Sequence, residues 1–179
     1  MLPEITVPVA TPAYEWVNGR ALQKPYGETK HALAQARFGA ALGEWACEHG
    51  AGMAGIGWGF KVQPPHEERR PLVPDVAFLS YARLPYDEML KTDVPRLAPD
   101  VVVEILSPDD RRPDVNEKVR VYLAAGTAVL FLVDPETRSV EVYDRHGQTH
   151  VSEDAVLIHD ALPGFRLAVH QLFSLPTPK

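Results

Sequence analysis

Apolar and polar positions alternate along this chain in two different rhythms. From Thr29 to His49 no proline interrupts the sequence, and Leu33, Phe38, Leu42, Trp45 and Ala46 recur at spacings that put them on one side of a helix, which Gly50 stops. By contrast, Val101-Val102-Val103-Glu104-Ile105-Leu106 is a nearly continuous β-branched run, the composition of a central strand covered on both faces, and Val129-Leu130-Phe131-Leu132-Val133 is another fully apolar strand. Near the start, Tyr14-Glu15-Trp16-Val17, Asn18-Gly19 and Arg20-Ala21-Leu22 predict a hairpin with a two-residue turn. Ile56, Trp58 and Phe60 alternate with Gly55, Gly57 and Gly59, which predicts one strand with a bulky face and a bare face. Residues 64–71 read as a solvated loop, 73–79 as a strand, and 81–99 as a mixed connection with one helical turn near 86–90. After a loop over 107–113, Asp114 is placed to cap a helix that runs to Ala125, with Val115, Val119, Tyr122 and Leu123 on one face and Gly126 as its stop. Val140-Glu141-Val142-Tyr143 alternates as a strand, and Val156-Leu157-Ile158 and Leu167-Ala168-Val169 read as peripheral strands before a helical turn at Leu172-Phe173.

Composition narrows what such a chain can be. With 179 residues, 45% of them hydrophobic, it is long enough to bury one sizeable core, so a single domain over residues 1–179 is expected. No apolar run approaches the roughly 20 residues of a membrane helix, and the first residues lack a basic start and apolar stretch, so a cytoplasmic protein without membrane attachment is expected. Cys47 is the only cysteine and has no internal partner for a disulfide. The formal net charge of −6 disfavours tight, non-specific binding to duplex nucleic acid, which depends on Lys and Arg at the phosphates. A site that holds a divalent metal is itself acidic before the metal arrives, so the charge weakens a nucleic-acid partner without excluding it. Gly50-Ala51-Gly52-Met53-Ala54-Gly55 has the glycine spacing of a dinucleotide loop, but it follows a helix where that loop must follow a strand. The histidines show no zinc-ligand spacing, and there is no Gly-Xaa-Ser-Xaa-Gly elbow.

Two residues carry the candidate chemistry. Glu104 interrupts the most apolar strand, where an ionised carboxylate is costly unless it is paired or holds a metal. Asp75 opens a second strong strand directly after Pro74. If those strands are neighbours, the carboxylates converge on a hard cation such as magnesium, which prefers oxygen ligands and keeps several waters. A strand-start carboxylate bonded to backbone and a buried salt bridge from Glu104 to Lys118 are the non-catalytic alternatives.

As an ordered set, Pro74-Asp75-Val76-Ala77-Phe78, Ala98-Pro99-Asp100-Val101-Val102-Val103-Glu104-Ile105-Leu106-Ser107-Pro108, Asp114 with Lys118, Tyr122-Leu123-Ala124-Ala125-Gly126 and Leu132-Val133-Asp134-Pro135-Glu136 closely resemble the putative restriction endonuclease family of PD-(D/E)xK nuclease-like domains. The likeness covers nearly the whole chain, from the leading helix with His31 to Leu162-Pro163-Gly164-Phe165 and Leu172-Phe173. It implies an α/β (α+β) fold with a restriction-endonuclease-like core, a mixed sheet flanked by helices, carrying an N-terminal hairpin and extra C-terminal strands. It further implies Mg2+- or Mn2+-dependent hydrolysis of phosphodiester bonds in nucleic acid, with DNA the expected substrate and a homodimer the expected assembly. Asp75 and Glu104 would hold the metal, and Lys118 would orient the attacking water or stabilise the transition state. In the superfamily pattern the lysine lies two residues after the glutamate; here that position is Leu106, and Lys118 on the following helix takes the role instead. Glu28 and His31 are possible contributors from the long helix. Arg111 and Arg112, and Arg69 and Arg70, flank the site as phosphate contacts. The rival functions are a fold that has lost catalysis and serves as a binding module, and hydrolysis of a smaller phosphodiester.

Overall fold

The computed structural model describes residues 3–178. Its elements follow in chain order as β1 (Tyr14–Val17), β2 (Arg20–Gln23), α1 (Thr29–His49), β3 (Gly52–Ile56), β4 (Phe60–Val62), β5 (Arg70–Leu72), β6 (Val76–Ser80) and α2 (Tyr86–Met89). They continue as β7 (Val101–Ile105), α3 (Arg112–Ala124), β8 (Val129–Asp134), β9 (Ser139–Asp144), β10 (Gly147–Val151), β11 (Val156–Leu157) and β12 (Leu167–Ala168), ending in a 3-10 turn at Val169–Leu172. Six strands form the central sheet in the order β10-β9-β8-β7-β6-β3; β7 and β8 are parallel and every other adjacent pair is antiparallel. The remaining strands form three small ladders, β1-β2, β4-β5 and β11-β12.

The apolar runs that mark β7 and β8 in the sequence are the middle of this sheet, and alternation along them feeds two cores. On one face Val101, Val103, Val129 and Phe131 pack with Ala34, Phe38, Leu42 and Trp45 of α1 and with Leu162, Phe165 and Leu172 of the C-terminal segment. Phe38 is fully buried between Phe131 and Phe165, with ring centroids 5.4 and 6.2 Å away, so truncating it to alanine costs about 3–5 kcal/mol. On the other face Val102, Leu130 and Leu132 pack with Val115, Val119 and Tyr122 of α3, and Val17, Phe60 and Leu72 extend that core beneath the small ladders. A mixed sheet with helices on both faces is the expected restriction-endonuclease-like architecture.

The structure corrects three local expectations and adds one strand. The alternation from Ile56 to Phe60 is not one strand: β3 ends at Ile56, Gly57 adopts φ +58°, and Phe60 begins β4 in a different ladder. A left-handed φ at this position suits glycine, so the glycines here turn the chain and do not supply a bare sheet face. The expected solvated loop stops early, because Arg70 starts β5 and is buried. Asp114 does not cap α3; the cap residue is Arg111, with Pro113 in the first turn, and Asp114 lies inside the helix. After β9 the chain returns as β10, an exposed strand whose polar residues gave no strand signal. No helix among the described residues is long and apolar enough to cross a membrane.

Candidate active site

The register of the sheet brings the two candidate carboxylates together. Val76 pairs with Val103 at the last rung between β6 and β7, so the next positions outward are Asp75 and Glu104. Residues two apart on a strand share a face; Asp75 follows Ala77 and Glu104 follows Val102 onto the side covered by α3. There a cavity of about 280 Å3 opens, walled by Glu15, Leu22 and Lys24 of the N-terminal hairpin and the residue after it, His31 of α1, Asp110, and Lys118 of α3.

Asp75 is buried and fully engaged. Its Oδ1 accepts from Lys24 Nζ at 2.8 Å, and its Oδ2 accepts from the Ile105 amide at 2.7 Å, with His31 Nε2 at 3.3 Å. Burial alone would raise this carboxyl, but Lys24, the hydrogen bond to His31 and the charge of Lys118 outweigh it and hold Asp75 well below the usual carboxylate range. Gly27 allows the approach of His31, since a Cβ there would stand 3.0 Å from Nδ1.

Glu104 is buried as well, and its Oε2 accepts from Lys118 Nζ at 2.5 Å. A second carboxylate, Glu15, takes the same ammonium at 3.0 Å through Oε2 while its Oε1 accepts from the Val73 amide at 2.7 Å. Burial pushes Glu104 up to about 7, against the pull of Lys118 and Lys24, with Glu15 and Asp75 adding to the rise. Burial disfavours charge on Lys118 too, yet Glu104, Glu15 and Asp75 prevail and hold it above an ordinary lysine. For Lys24, burial and Lys118 push down, while Glu15, Asp75 and Glu104 bring the net shift upward.

The donor set suits a hard cation. Asp75, Glu104 and Glu15 outnumber Lys24 and Lys118, which leaves the buried cluster one negative charge in excess when all five are ionised. Glu104 Oε1 is buried and has no hydrogen-bond partner, a costly state for a carboxylate oxygen that a metal ligand would relieve. No three His, Cys, Asp or Glu side chains among the described residues form a ready cage.

The sequence therefore pointed to Asp75, Glu104 and Lys118 as one cluster, and the structure brings them together. His31 reaches Asp75; Glu28 stands exposed at the α1 cap position and lines a neighbouring depression with His31 and Leu106. Arg111 and Arg112 are exposed at the start of α3 and make no ion pair among the described residues. Arg69 and Arg70 are committed elsewhere, Arg69 to Gln63 and Arg70 to Glu67 and Glu117, so they leave the list of phosphate contacts. Sequence reasoning missed Glu15 and Lys24. Glu15 shares its strand face with Val17, which is fully buried, but the alternation alone does not say which face of this strand turns inward.

A family model described as "Putative restriction endonuclease" (Uma2) matches residues 7–170. Among solved structures, one described as a putative nuclease belonging to DUF820, from Anabaena variabilis, superposes with a TM-score of 0.81 at 24% sequence identity, covering 93% of each chain. At that identity the likeness speaks for the fold. No curated protein matches the chain significantly.

Proposed function

The chain belongs to the putative restriction endonuclease family, and from that premise we propose that it is a magnesium- or manganese-dependent endonuclease that hydrolyses phosphodiester bonds of nucleic acid, DNA foremost. The observation that carries this is the facing pair Asp75 and Glu104 at the ends of β6 and β7, with Lys118 bonded to Glu104 and one Glu104 oxygen buried without a partner. Asp75 and Glu104 would hold the ion. When bound, a divalent ion lowers the pKa of a coordinated water and offsets charge developing on the phosphate.

The chain's own residues do the rest. The Ile105 amide and Lys24 fix the orientation of Asp75. Lys118 has three N–H donors and spends two on Glu104 and Glu15, leaving one to direct at an attacking water or a phosphoryl oxygen. Its position on α3 supplies the cation that the usual sequence place, filled here by Leu106, does not. Exposed Arg111 and Arg112 at the rim would take flanking phosphates. In this account the enzyme works in the cytoplasm, and a symmetric pair of copies would present two sites to the two strands of a duplex. Hydrolysis of a smaller phosphodiester is the second reading, favoured by the modest size of the cavity, about 280 Å3, and the net charge of −6.

The test is cleavage of supercoiled plasmid and of single-stranded DNA by purified protein with Mg2+ or Mn2+, beside Glu104→Ala and Lys118→Ala. Metal-dependent cutting that both substitutions remove supports the assignment. Absence of cutting and of metal binding under all of these conditions would sink it.

A further inference from the structure

The N-terminal hairpin and the residue after it grip the segment leading to Asp75 at one residue. Val73, two residues before Asp75, has its amide bonded to Glu15 Oε1 at 2.7 Å and its carbonyl oxygen to Lys24 Nζ at 2.7 Å. Lys24 passes that grip on to Asp75, and Glu15 passes it on to Lys118. The hairpin is held in place independently, because Asn18 and Arg20 at its turn clamp the two oxygens of Asp114 on α3 at 2.7 and 2.6 Å. Asp114 and Lys118 share a helix face, so the same strand pair meets α3 one turn apart.

From this geometry we infer that Glu15 is a positioning residue for Lys118, a side chain that ties the lysine itself to the segment bearing Asp75. The role rests on the nuclease reading given above. A lone contact to Glu104 would leave the ammonium free to swing about one bond; the second carboxylate fixes its direction, and the Val73 amide fixes that carboxylate. Glu15 lines the cavity but is buried, and its two oxygens are taken by the Val73 amide and Lys118. Its chemistry is to aim another group.

Two substitutions separate the functions of the side chain. In Glu15→Gln the amide oxygen still accepts from Val73 while the amide nitrogen cannot accept from Lys118; in Glu15→Ala both bonds are lost. We expect Glu15→Gln to keep its Val73 amide protected from hydrogen exchange and to keep KM within roughly twofold, while kcat falls about ten- to a hundredfold, the usual result of a misaimed catalytic group. Unchanged kcat, or a loss that tracks only the unfolded fraction, would overturn the assignment. If wild type cuts nothing, the nuclease reading fails separately, and the hairpin's role is decided by the Lys118 ammonium resonance in 1H–15N spectra, identified by its loss in Lys118→Met. A signal present in wild type and broadened away in Glu15→Gln supports positioning by Glu15; a signal unchanged by the substitution overturns it.

Discussion

Replacing Lys118 with methionine should destabilise the protein by an amount that depends steeply on pH. The change keeps chain length and apolar stem but removes the cation between Glu104 and Glu15, both buried. Removing one member of a buried ion pair ordinarily costs about 3–5 kcal/mol, because the other charge is left uncompensated. Here Glu104 has an escape. Its carboxyl already titrates at about 7 in the folded protein, raised by burial against the pull of Lys118, so losing Lys118 must raise it further. A carboxyl raised on folding weakens the fold as pH climbs through its folded value, since the unfolded chain gives up the proton more readily. Below pH 7 Glu104 is protonated in both proteins and the penalty is the small remainder from Glu15 and packing, about 1–2 kcal/mol. Above it, wild type has ionised and the variant has not, and the penalty grows by about 1.4 kcal/mol per pH unit until the variant titrates. Urea unfolding followed by tryptophan fluorescence at pH 6 and pH 9 would read this directly, with equal m-values confirming that the same surface is exposed. A penalty of about 3 kcal/mol larger at pH 9 than at pH 6 is expected; equal penalties at the two pH values would refute the claim that Lys118 supports a buried carboxylate.

Three further outcomes follow from the same cluster. Binding of Mn2+ should weaken about tenfold per pH unit below 7, because the ion must displace a proton from Glu104, and titration calorimetry showing a flat profile from pH 5.5 to 8 would contradict that. Arg111→Ala with Arg112→Ala should leave thermal stability unchanged, raise KM for DNA and reduce the salt dependence of binding by about one phosphate contact per arginine; an unaltered salt slope in fluorescence anisotropy would remove them from the interface. Asp114→Ala should destabilise the fold by about 1–3 kcal/mol by stripping Asn18 and Arg20 of their shared acceptor, and chemical denaturation within error of wild type would show that the hairpin is docked by other contacts.

How much of this was legible beforehand differs by element and for physical reasons. Helical periodicity pointed to α1, continuous apolar runs to β7 and β8 and the Asn18-Gly19 turn to the N-terminal hairpin, and Glu104 stood out because a charge in an apolar run has few explanations. Asp75 and Lys118 came from the resemblance more than from periodicity, since a strand-start aspartate and a helix lysine are individually ordinary. Glu15 and Lys24 stayed hidden because the alternation in β1 is ambiguous: Tyr14 and Trp16 look like the inward face, yet Glu15 and Val17 are the buried ones. Only the tertiary packing of the hairpin against β5 and α3 decides that parity. The glycine alternation after β3 misled for a related reason, as a period of two does not distinguish a continuous strand from two short strands joined by a left-handed glycine. Asp114 was assigned a local role, capping, when its partners lie 94 and 96 residues away in sequence.

The most direct test of the metal-site claim is the anomalous-difference map of crystals grown with Mn2+. The account predicts one ion per chain, bonded to a carboxylate oxygen of Asp75 and to Glu104 Oε1 at about 2.2 Å, with Lys118 still seated on Glu15. Absence of a peak between the two carboxylates at saturating Mn2+, with Lys24 and Lys118 holding them as they do without metal, would contradict it.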